Sequence, residues 1–104
     1  MDKNYDINAE QLKELLEGEQ TINLIDVRED YEYEDDNLGG KLIPLGELPE
    51  RLDELEALKG QPIYLQCRSG ARSGKAKAFL MAQGFEDVHN VTGGIMAYRE
   101  LENQ

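Results

Sequence analysis

Apolar positions along this chain follow two rhythms. Leu12, Leu15 and Leu16 recur at helical spacing between Ala9 and Glu17, with Asn8 placed as an N-cap and Gly18 as a stop. Leu48, Leu52, Leu55 and Leu58 repeat that spacing and predict a core-facing helix over 48–58. Between such stripes lie short runs of strand character: Tyr5-Asp6-Ile7, Thr21 to Ile25, Leu42-Ile43-Pro44, Ile63-Tyr64-Leu65 and Val88 to Val91. Lys75 to Ala82 is made mostly of good helix formers, with Gly84 as its cap and Phe85 packing back on the core. Ile95 to Leu101 reads as a final helix after the turn Thr92-Gly93-Gly94, whose glycines suit a positive φ or a close backbone approach. Short strands alternating with helices predict an α/β fold, a parallel sheet with helices on both faces.

Glu29 to Asp36 breaks the pattern. It is an acidic run interrupted by Tyr31 and Tyr33, read as a short solvated helix with its tyrosines turned inward. It lacks the central glycine and terminal glutamate spacing of a calcium loop, so metal binding is not expected there.

The length, 104 residues, suits a single domain over 1–104 with one core. A lone cysteine, Cys67, rules out an internal disulfide and fits a reducing compartment. Met1 to Tyr5 has neither the basic flank nor the apolar run of a signal peptide, and no apolar stretch reaches membrane-spanning length, so a soluble cytoplasmic protein is expected.

The net charge of −11 is unevenly spread. Residues 1–60 carry −12, residues 61–85 carry +4 with no acid, and residues 86–104 carry −3. That balance argues against nucleic acid as a partner and leaves one segment able to attract a small anion. Within it, Lys75 and Lys77 are read as solvating a helix face. The strong negative charge favours a monomer.

Candidate chemistry concentrates in Cys67-Arg68-Ser69-Gly70-Ala71-Arg72-Ser73, a loop between a buried strand and a helix. Backbone N–H groups at the helix start would point into the loop, and the helix dipole with Arg68 and Arg72 would lower the thiol pKa. A thiolate in such a ring is a nucleophile for an anionic or sulfur-bearing substrate. The alternative, a cysteine serving as small apolar filler, is less suited to a chain that turns at once to Arg-Ser-Gly. Asp26 and Arg28 close another strand, and position alone suits two readings equally: site residues, because ligands of open α/β sheets bind there, or an ordinary solvated strand exit. His89, the only histidine, is read as a half-exposed strand residue; one His and one Cys cannot build a structural zinc site.

Three motifs resemble those of the rhodanese-like sulfurtransferases, in particular their small single-domain members. Leu24-Ile25-Asp26-Val27-Arg28-Glu29 looks like the family's strand signature, Cys67 to Ser73 like its active-site loop, and Val91-Thr92-Gly93-Gly94 like its last turn. The resemblance implies a three-layer fold around a five-stranded parallel sheet. It also implies a sulfurtransferase in which Cys67 takes sulfane sulfur from thiosulfate or a persulfide donor and passes it to cyanide or a thiol. By the same resemblance, Arg68, Ser69, Gly70, Ala71 and Ser73 cradle the outer sulfur, Arg72 joins Arg68 in anion binding and loop fixing, and Asp26 and Arg28 brace the loop. No metal or cofactor enters this reading. The chain departs from the family at Asn37-Leu38-Gly39-Gly40-Lys41-Leu42, where Gly-His-Ile-Pro-Gly-Ala is usual, and at Tyr98, where Trp is common; the first change is expected beside the pocket.

Three other readings compete. Cysteine-loop phosphatases and arsenate reductases place their Arg six positions after the Cys, whereas Arg72 is fifth after Cys67. A non-catalytic module that kept the fold would be expected to lose the nucleophile. A persulfide carrier serving a larger partner shares the chemistry and differs only in the acceptor.

Overall fold

A computed structural model of the chain describes residues 4–104; the terminal reading made on Met1, Asp2 and Lys3 lies outside them. Four parallel strands, β1 (Asn23–Asp26), β2 (Lys41–Leu42), β3 (Ile63–Gln66) and β4 (Val88–Asn90), form a sheet in the order β2-β1-β3-β4. The expected fifth strand at Tyr5-Asp6-Ile7 is reduced to one parallel bridge, Ile7 with Val91. At that bridge the Ile7 N–H donates to the Asn90 carbonyl, and the Thr92 N–H to the Ile7 carbonyl.

Strand alternation sorts side chains to two apolar layers. Ile25, Val27, Ile63, Leu65 and Val88 face one, closed by α3 (Ala71–Ala82) and two 3₁₀ helices (Leu45–Glu47 and Leu52–Leu58). Leu24, Tyr64 and Val91 face the other, closed by α1 (Ala9–Glu17) and α4 (Gly94–Glu102). A short α2 (Asp30–Asp35) follows β1.

Local chemistry accounts for the boundaries. Asn8 and Gln11 form a reciprocal capping box at the start of α1, with bonds of 2.8 and 2.9 Å. After α3, Gly84 turns at φ +95° and the Phe85 N–H returns to the Leu80 carbonyl, seating Phe85 in the core. The stripe from Leu48 to Leu58 does face the core, with Leu48 and Leu55 fully buried, but as 3₁₀ turns in place of the expected α-helix. Pro49, between the two 3₁₀ segments, offers no N–H to an α-helical ladder.

Three further expectations change. Tyr31 is 70% exposed, and only Tyr33 turns inward, its hydroxyl donating to the Gly40 carbonyl at 2.6 Å. His89 is buried, set between Tyr5 and the stacked ring of Tyr64. Lys77 is not merely solvated, because it binds the Asn4 carbonyl and the Asp6 carboxylate. No helix among the described residues is long and apolar enough to cross a membrane.

Candidate active site

The carboxyl end of β3 delivers the chain into residues 67–70, and α3 begins at once. Gly70, at φ +106°, is the N-cap of α3 and makes the left-handed turn that brings its own N–H and that of Ser73 back to Cys67. The Gly70 N–H donates to the Cys67 sulfur at 3.0 Å, and the Ser73 hydroxyl oxygen lies 3.3 Å from it. Burial pushes the thiol pKa up. The Ser73 hydroxyl and the N–H groups of Ser73, Gly70 and Ser69 more than offset that and hold it below its ordinary 9.0.

The carbonyls on the outside of the loop explain why its amides face in. A trans peptide points its C=O and N–H in opposite directions. The Arg68 carbonyl accepts from the Met96 N–H at 3.1 Å, which turns the Ser69 N–H toward the sulfur. The Cys67 carbonyl accepts from the Ile95 N–H at 3.0 Å and from the Gln66 side-chain amide at 2.9 Å. This docking requires glycine at the start of α4. Gly94 has φ +56°, and a Cβ there would stand 2.4 Å from both the Cys67 and Arg68 carbonyl oxygens. The close approach anticipated for the Gly93-Gly94 turn is therefore real, and its counterpart is the sulfur loop.

The other expected residues are placed as follows. Arg68, Ser69 and Ala71 are exposed at the rim, and Ser73 is buried at the base. Arg72 does not point a free guanidinium at the sulfur. It makes a two-pronged pair with Glu32 of α2, at 2.6 and 2.9 Å, which holds the Glu32 carboxyl at about 2. Asp26 and Arg28 pair with each other inside the protein, and Arg28 also donates to the Asp36 carbonyl at 2.7 Å. Their bonds thus tie β1 to the end of α2 and do not reach residues 67–73. The divergent segment 38–41 lines a separate cavity of about 420 Å³ with Leu15 and Ile22, away from the loop. Beside the loop lies a cleft of about 780 Å³, walled by Arg28, Tyr31, Arg68, Met96 and Arg99 among others.

One expectation about the nucleophile needs correction. Cys67 does not leave the core with the residues that follow it: it is 1% exposed and packs with Leu65 and Ala76. The loop rises around the sulfur, so its environment is an amide collar on one side and hydrocarbon on the other.

A thiol held below its usual pKa by a collar of N–H donors, at the carboxyl end of a parallel strand, matches a known family. The family described as Rhodanese-like domain matches residues 8–101. This chain belongs to it. A sulfurtransferase of Allochromatium vinosum is 35% identical over 94 residues, covering 89% of this chain and 86% of its own length. YrkF of Bacillus subtilis, named as a candidate sulfur carrier protein, is 38% identical over 91 residues, and the match covers 86% of this chain but 48% of YrkF. The chain thus spans about half the length of that relative. Among solved structures, a rhodanese-like domain protein from Staphylococcus aureus superposes with a TM-score of 0.82 at 32% identity, covering 91% of this chain and 90% of that one. The α/β rhodanese-like fold expected from the sequence is the fold observed, with four strands and a bridge for the expected five strands.

Glu32, Gln66 and Asn90 were not anticipated as site residues. Glu32 and Asn90 act through contacts that no local spacing displays, as with Arg72 and Glu32, 40 residues apart, whereas Gln66 bonds the carbonyl of its neighbour Cys67.

Proposed function

We propose that the protein transfers sulfane sulfur through a persulfide on Cys67, from thiosulfate or a persulfide donor to cyanide or a thiol acceptor. The observation that carries this reading is the collar of inward N–H groups around the Cys67 sulfur. In the first half-reaction the Cys67 thiolate attacks the outer sulfur of thiosulfate, a sulfur–sulfur bond forms, and the old one breaks with its electron pair leaving on sulfite. In the second, a cyanide or thiolate acceptor attacks the outer sulfur of the persulfide, and the Cys67 thiolate departs as it began. Neither half needs an added oxidant or reductant.

The collar suits both states, because a thiolate and a terminal persulfide sulfur are each anionic acceptors for N–H donors. Burial of the bare thiol fits the second half-reaction. The added sulfur moves the reacting atom outward by about 2 Å, the length of one S–S bond. Arg68, exposed on the cleft, supplies positive charge for an approaching anion. Arg72, committed to Glu32, fixes the loop; this disfavours phosphoryl chemistry, which asks the loop arginine to clasp three oxygens. The partners in this reading are a small anionic sulfur donor and a thiol, in the cytoplasm.

Incubation with thiosulfate should add one sulfur mass to Cys67, removable by cyanide with release of thiocyanate. Hydrolysis of an aryl phosphate with no thiocyanate would reject the proposal. A stable adduct that only a protein thiol discharges would favour the carrier form, the role that YrkF's name suggests.

A further inference from the structure

Asn90 closes β4 and is 8% exposed, and its side chain reaches across to the sulfur loop. Its Nδ2 donates to the Gly70 carbonyl at 3.1 Å, and its Oδ1 accepts from the Ser73 hydroxyl at 2.5 Å. Gly70 and Ser73 both bond the Cys67 sulfur, at 3.0 and 3.3 Å. The loop is thus gripped from two sides. The α4 backbone holds the carbonyls of Cys67 and Arg68, and one side chain from β4 holds the next part of the loop. Asn90 is itself fixed through its backbone, whose N–H donates to the Asp6 carboxylate at 3.1 Å and whose carbonyl accepts from Ile7.

The amide cannot turn over. Reversing it would set Oδ1 against the Gly70 carbonyl oxygen, two acceptors with no proton between them. The Asn90 oxygen therefore always faces Ser73. The Ser73 hydroxyl has one proton and two acceptors within reach, the Asn90 oxygen and the Cys67 sulfur. While Cys67 is a neutral thiol, the short bond to Asn90 holds that proton. Once charge develops on sulfur, the proton is drawn toward it.

We propose that Asn90 is a positioning residue of the sulfur site: through the Gly70 carbonyl it anchors the turn residue whose own N–H meets the sulfur, and it holds the Ser73 hydroxyl where it can serve the charged sulfur of Cys67. The proposal rests on the sulfur-transfer reading for its purpose, but its measurement does not. The rate of Cys67 alkylation by iodoacetamide, followed against pH, reports ionisation whether or not sulfur is transferred. Asn90→Ala, which drops both bonds, should move the midpoint up by about one pH unit, a tenfold loss of thiolate at neutral pH. Asn90→Asp keeps an acceptor for Ser73 but sets a carboxylate against the Gly70 carbonyl and near the sulfur, and should move it further. Asn90→Ala and Asn90→Asp with the wild-type midpoint would overturn the proposal, even if both melt at lower temperature. The wild-type protein gives a second reading should the variants fail to fold. The Asn90 side-chain NH₂ resonances should shift with the same midpoint as Cys67 alkylation, and resonances that stay fixed across that titration would also overturn it. Persulfide formation in wild type with no such shifts would leave the function standing and the proposal fallen; shifts without persulfide would do the reverse.

Discussion

Two helices of this protein begin alike and do opposite things. Both α3 and α4 start after a glycine with positive φ, Gly70 at +106° and Gly93 at +78°. Neither glycine has a side chain to satisfy the free amides of the first turn, so those amides turn outward to other partners. The amides of Ser69, Gly70 and Ser73, just before and within the first turn of α3, face a sulfur atom. Those of Ile95 and Met96 in α4 hold the Cys67 and Arg68 carbonyls. One helix start is a place for chemistry, and the other fixes that place. The difference lies in what stands opposite: a soft atom that can gain charge, or carbonyls that cannot.

Removing what α3 surrounds should have the largest effect. Cys67→Ala should abolish sulfur transfer altogether in a thiocyanate assay. Because this side chain packs in the core, the fold should survive with a loss of about 1–2 kcal/mol, read by denaturant unfolding. A variant that cannot fold would show that the cysteine serves packing first.

Breaking the α4 side comes next. Gly94→Ala puts a methyl 2.4 Å from two carbonyl oxygens at a left-handed residue. It should cost more than about 3 kcal/mol, a drop on the order of 15 °C in Tm, and should raise the Cys67 alkylation midpoint in whatever remains folded. An unshifted midpoint would mean that the collar stands without α4.

The ion pair flanking α3 is a smaller lever. Glu32→Gln should slow transfer at most about fivefold, in line with the ~1 kcal/mol of a part-exposed pair. The pH dependence has a definite sign. Folding holds the Glu32 carboxyl at about 2, below its ordinary 4.5, so its contribution is complete above pH 4.5 and is lost as pH falls through 2. The stability gap between wild type and Glu32→Gln should shrink over that window. Cys67 gives the companion case at alkaline pH. Its folded value lies below 9.0, so stability should rise with pH up to about that value, a slope missing in Cys67→Ala.

The smallest effect is expected at the rim. Arg68 is exposed, so Arg68→Ala should leave stability within about 0.5 kcal/mol of wild type and chiefly weaken thiosulfate affinity. Unchanged affinity would place anion capture elsewhere in the cleft.

Much of the comparison could be read along the chain, and the reasons for the remainder are specific. The Cys67 loop sits between an apolar run and a stretch of helix formers, so its place at a strand end followed from short-range signals. Gly93 and Gly94 advertised a close approach, though not its partner. Glu32 lay inside an acidic run whose natural reading is a solvated face, and only the packing of α2 against the loop sets it apart. Asn90 fell within the strand run from Val88 to Val91 with nothing along the chain to mark it. Its meaning depends on Gly70 and Ser73, which lie 20 and 17 residues away. The misplaced Tyr31 and His89 share one cause: in so short a helix and strand, too few neighbours exist to define an inward side.

The docking of Gly94 against the Cys67 and Arg68 carbonyls has a consequence for how the protein comes into being. The groups that restrain the nucleophile's loop arrive some thirty residues after the nucleophile itself. During synthesis the Cys67 loop therefore leaves the ribosome before α4 can close on it. The Cys67 and Arg68 carbonyls meet the amides of Ile95 and Met96 only once that helix has followed.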